Sequence, residues 1–107
     1  MNGLFNTTQL SSTTEVIFKR GNSKIDFAMY PANVQISCSN LNGGTFDVYI
    51  LPLGETSFKS HILGATEEDT VMIAGKDAPI FTQVKVSFVD NGGLESVATL
   101  TAWERGL

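Results

Sequence analysis

His61 is the sole histidine in this 107-residue chain and Cys38 the sole cysteine, so any imidazole base, Ser-His-Asp relay or thiol–imidazole dyad must recruit them. No motif around either residue supports such a site. In a strand His61 shares a face with Lys59 and Leu63, opposite Ser60 and Ile62, which is the environment of a half-exposed residue. Cys38 falls in line with Val34 and Ile36 on an apolar face and reads as a small buried hydrophobe. With one cysteine, no internal disulfide can form. Glu67, Glu68 and Asp69 are the densest acidic cluster, but they lack the spaced Asp/Asn ladder around a central glycine that shapes a calcium loop, so they read as a solvated loop. The glycines belong to turns, with no Gly-x-Gly-x-x-Gly opening a helix and no Walker lysine, hence no phosphate cradle. Tyr30, Tyr49 and Trp103 are too scattered to form a stacking platform for sugars or bases. The expectation is a protein without catalytic residues, metal ligands or cofactors.

Composition narrows the classes further. The chain is the size of one domain with one core. Its net charge of −4 and sequence pI near 4.7 oppose nucleic-acid binding, which needs clustered Lys and Arg; the one basic concentration is Lys19, Arg20 and Lys24. No apolar run approaches membrane-spanning length, and Met1–Asn6 has neither a basic nor an apolar leader region, so synthesis in the cytosol is expected.

The elements that must position these residues are strands. Asn42-Gly43-Gly44 lies between Val34–Cys38 and Thr45–Leu51, and its residues tolerate the positive φ of a primed turn, which predicts a β-hairpin. Val34, Ile36 and Cys38 would project to one face, with Phe46, Val48 and Ile50 beside them. Further strands are expected over Glu15–Lys19, Ile25–Tyr30, Ser57–Leu63, Thr70–Ala74, Thr82–Phe88 and Ser96–Trp103, with Gly75–Pro79 as loop. In the last strand Val97, Leu100 and Trp103 also fit helical spacing, but the β-branched Val97, Thr99 and Thr101 favour a pleated surface. About seven short strands punctuated by Gly, Pro, Asn and Asp predict an all-β fold, a single antiparallel β-sandwich over residues 15–107, with a small β-barrel as the alternative. Asn91-Gly92-Gly93 repeats the chemistry of Asn42-Gly43-Gly44, which two hairpins with like turns would explain. Residues 1–14 are rich in Asn, Thr, Ser and Gln without period and predict an irregular, extended or flexible N-terminal arm. Leu4, Phe5 and Leu10 are its large apolar side chains and the candidate contacts to a partner subunit.

Between Val34 and Gly106 stand Leu41-Asn42-Gly43-Gly44 after an alternating strand, Thr45-Phe46-Asp47-Val48-Tyr49 leading to Pro52, Ala78-Pro79-Ile80 entering Val84-Lys85-Val86-Ser87-Phe88, and the closing Leu100-Thr101-Ala102-Trp103-Glu104-Arg105. In these features the chain resembles the small β-sandwich proteins of tailed-bacteriophage virions. The resemblance implies a non-enzymatic virion structural protein made in the bacterial host cytoplasm. Its partners would be the major capsid protein or tail proteins, and it would be homo-oligomeric in the particle. A capsid decoration or cement role comes first, a tail or head–tail accessory or fibre-anchoring role second. Two other classes stay open: a receptor- or glycan-binding sandwich module, which requires clustered exposed aromatics such as Tyr49 or Trp103, and a hydrolase, which requires His61.

Overall fold

A computed structural model describes residues 5–11, 15–19, 32–73, 81–93 and 95–104. They form eight strands: β1 (Phe5–Ser11), β2 (Glu15–Lys19), β3 (Ala32–Ser39), β4 (Thr45–Pro52), β5 (Lys59–Ala65), β6 (Val71–Ile73), β7 (Phe81–Val89) and β8 (Ser96–Glu104). One sheet has the order β1-β8-β3-β6 and the other β2-β7-β4-β5, with every pairing antiparallel. The all-β sandwich read from the alternation is therefore the observed architecture. Its strand order is that of a jelly roll, two Greek keys folded over one core.

Alternation places the core. Val34, Ile36 and Cys38 of β3 point inward from the first sheet, and Phe46, Val48 and Ile50 of β4 point inward from the second. Val84, Val86 and Phe88 of β7 are buried as their period-2 pattern requires. All four buried phenylalanines, Phe18, Phe46, Phe81 and Phe88, come from the β2-β7-β4-β5 sheet, while the other sheet contributes the aliphatic Val34, Ile36, Val71, Ile73 and Leu100 together with the small Cys38, Ala98 and Ala102.

Three expectations need correction. The segment around Asn42 is not a hairpin, because β3 and β4 lie in different sheets and do not pair. Asn40 already has φ 58° and ends β3 before the Asn-Gly pair is reached, so the connection spans residues 40–44 and carries the chain over the end of the sandwich. Among the described strands, β4 and β5 are the only sequential neighbours that pair. The second correction concerns the arm, since Phe5–Ser11 is a strand of the sandwich, paired with β8 from Phe5↔Ala102 to Ser11↔Ser96. An edge strand is held by main-chain hydrogen bonds, which Asn, Thr and Gln make as well as apolar residues do, so it needs no apolar period. Thirdly, the strand expected at Ser57–Leu63 runs from Lys59 to Ala65. The expected strand Ile25–Tyr30 and the loop Gly75–Pro79 lie outside the described residues.

Candidate functional site

Both Asn-Gly-Gly stretches are corners between sheets, and they lie side by side. In each, the residue after the strand has a positive φ, the next is buried, and the following two are again left-handed: Asn40 58°, Asn42 53° and Gly43 84° in one corner, Asp90 58°, Gly92 73° and Gly93 71° in the other. By conformation Asn40 matches Asp90, one place out of step with the Asn-Gly-Gly echo in the sequence. Shared turn chemistry explains the echo better than a residue-for-residue duplication. The buried positions are Leu41, fully enclosed, and Asn91, 6% exposed.

Asn91 can replace an apolar plug because its amide is bonded at both ends: Nδ2 donates to Ser96 Oγ at 2.9 Å, and Oδ1 accepts from Gly93 N at 3.3 Å. Ser96 Oγ then donates to Asn40 O at 2.8 Å. From the other corner Asn42 Nδ2 donates to Asn91 O at 3.0 Å and Asn40 O at 3.1 Å. Gly44 closes the approach, since a Cβ there would collide with Val89 O and lie 2.6 Å from Asp90 O.

The acidic run beside these corners is structural. Glu67 Oε1 accepts from Leu41 N at 2.7 Å, clamping the β5–β6 loop onto the β3–β4 corner. Asp69 Oδ2 accepts from Thr66 N at 2.8 Å and from Thr66 Oγ1 at 3.1 Å, closing its own turn. An open depression of about 330 Å³ lies between them, lined by Gly43, Gly44, Thr45, Thr66, Glu67 and Glu68. Among the described residues no group of three or more His, Cys, Asp and Glu could hold a metal ion.

His61 and Cys38 are not brought together. His61 is exposed on β5, and its Nε2 lies 2.7 Å from Met72 O; a carbonyl only accepts, so Nε2 carries the proton. Cys38 is buried in β3, and burial pushes its thiol up to about 12, leaving no thiolate at neutral pH. Tyr49 and Trp103 belong to strands of different sheets, β4 and β8. Lys85 Nζ lies 4.8 Å from the Tyr49 ring centroid and 4.7 Å from that of Phe58, so the Tyr49 ring is already engaged by an ammonium. Glu15 completes this cluster at 3.9 Å from the same ammonium.

The surface that sequence reasoning missed is the β5 edge. Against β4, Leu63 and Gly64 together oppose Asp47, and His61 is an extra residue between the pairs Val48↔Ile62 and Tyr49↔Ser60. Two bulges in seven residues twist β5 out of alternation, so Ala65 is its only buried residue. Gly64, at φ 75°, makes the first bulge possible, and its N–H donates to Asp47 Oδ1 at 2.8 Å. Ile62 is consequently 43% exposed and Leu63 61%, with Met72 of the neighbouring edge strand β6 at 42%. The sequence did hold a signal: Ile62 and Leu63 are adjacent, and in a strand one of two neighbours must face away from the core.

Of the candidate partner contacts, Leu4 lies outside the described residues, while Phe5 and Leu10 fall in β1 opposite Ala102 and Val97. β1 and β6 are opposite edges of one sheet, roughly 14 Å apart at three strand spacings, so the β1 positions and the β5–β6 rim are separate surfaces. Comparison of the chain with protein-family models, with curated proteins and with solved structures finds no match.

Proposed function

We propose that the chain is a non-enzymatic structural protein of a phage virion, a capsid decoration or cement subunit that binds the major capsid lattice through its β5–β6 rim. The observation that carries this reading is the exposed apolar trio Ile62, Leu63 and Met72 on the edge strands β5 and β6, with Leu53 and Val89 exposed elsewhere on the sandwich. Exposed apolar side chains grouped at one rim favour contact with another protein over catalysis. The double bulge disfavours addition of a further strand to β5, so a partner would engage the side chains and not the backbone. Weak contacts of this kind become useful when many copies bind a repeating lattice at once. The sequence resemblance to small virion sandwiches points the same way. The jelly roll is used by viral capsid and lectin domains alike, a likeness of architecture only.

Co-sedimentation with purified phage heads and with tails, each lacking the chain, tests the proposal. Saturable binding to heads, reduced tenfold or more by Leu63→Asp without loss of folding, is the expected result. Binding to tails alone would move the role to a tail accessory. A chain that stays in the supernatant with both would overturn the virion reading.

A further inference from the structure

Each corner contains an asparagine followed by glycine, Asn42-Gly43 and Asn91-Gly92, and the structure treats them differently. A glycine leaves its backbone nitrogen unshielded, so this nitrogen can reach the amide carbon of the preceding asparagine. Asn42 and Gly43 are exposed, and a Cβ at Gly43 would meet nothing within 4 Å. Asn91 is buried, with its amide tied through both Nδ2 and Oδ1.

We propose that Asn42 is a site of self-catalysed deamidation whose product unlocks the two corners from each other. The Gly43 nitrogen attacks Asn42 Cγ, forming the C–N bond of a succinimide ring. The Cγ–Nδ2 bond breaks, and Nδ2 leaves as ammonia with the proton given up by the Gly43 N–H. One water then opens the ring at either carbonyl, giving aspartate or isoaspartate, so water is the sole co-reactant. The consequence follows from what Nδ2 does in the intact chain. It donates to both Asn40 O and Asn91 O, whereas a carboxylate oxygen only accepts and would face two carbonyl oxygens of like partial charge. The isoaspartate product also adds a backbone methylene to a corner built on left-handed φ at Asn40, Asn42 and Gly43. Because the native bonds hold the leaving nitrogen, conversion requires the corner to open, and its rate reports that opening.

The full-length chain, kept folded in mildly alkaline buffer, is followed by peptide mass spectrometry. Peptides containing Asn42 gain one dalton while those containing Asn91 stay unchanged, and in urea both convert. Asn42→Asp lowers Tm by about 4–8 °C. Asn42→Gly, which keeps the left-handed backbone and merely deletes the donor, lowers it less. Conversion of Asn91 as fast as Asn42 in the folded chain, or an Asn42→Asp variant melting with the wild type, would overturn the proposal.

Discussion

The corner end and the β5 edge are both places where regular strand pairing stops, and they resolve the break in opposite ways. At the corners, left-handed residues turn the chain between sheets, a buried Leu41 and Asn91 fill the end of the core, and the Asn42 amide and Ser96 hydroxyl donate to the corner carbonyls of Asn40 and Asn91. At β5, two bulges push the strand's own side chains into solvent, and Asp47 and Met72 supply the acceptors that keep it in place. The difference teaches that an irregularity is costly to alter where the core depends on it, and free to serve a partner where it does not.

Substitutions can break this contrast from either side. The largest effect is expected for Gly44→Ala, whose Cβ must displace the main chain at Val89 and Asp90; urea denaturation should show a loss of about 4 kcal/mol or no folded protein. Leu41→Ala should cost about 3 kcal/mol in the same assay, because it empties a fully enclosed position. Ser96→Ala removes the hydroxyl between Asn91 and Asn40 and should cost about 1–2 kcal/mol. At the other extreme, Leu63→Asp should leave stability within about 0.5 kcal/mol of the wild type, since Leu63 is 61% exposed.

A pH experiment probes the core on which the corners close. The Cys38 thiol is raised from 9.0 to about 12 by burial, so between these values the unfolded chain has released a proton that the folded chain still holds. Stability from this group is fully present below pH 9.0 and is lost as pH rises towards about 12. Relative to a Cys38→Ala variant, the wild type should lose about 1 kcal/mol more per pH unit across that window.

Much of the fold was legible because alternation states which side chains share a face. Val84, Val86 and Phe88 announce β7, and Val34, Ile36 and Cys38 announce β3, on residue type alone. Alternation does not state which neighbour a strand bonds to. Asn-Gly-Gly signals positive φ, and a primed hairpin and a sheet-crossing corner use it equally; Asn40, left-handed two residues before Asn42, decides between them and has no distinctive sequence context. β1 was illegible for another reason, since Asn6, Thr7, Thr8 and Gln9 carry no apolar rhythm and their strand is held through the backbone register with β8. β5 was legible as a strand, expected two residues early at Ser57–Leu63, but its exposed apolar surface was hidden by bulges that break its alternation, and only the adjacency of Ile62 and Leu63 pointed to it.

Hydrogen exchange resolved to single amides tests the contrast most directly. The amides of Leu41 and Gly44, bonded to Glu67 and to Leu41 O, should exchange only through the rare opening of their corner, while those of Ile62 and Leu63 should exchange many-fold faster. Corner amides that exchange as fast as those of β5 would contradict the account.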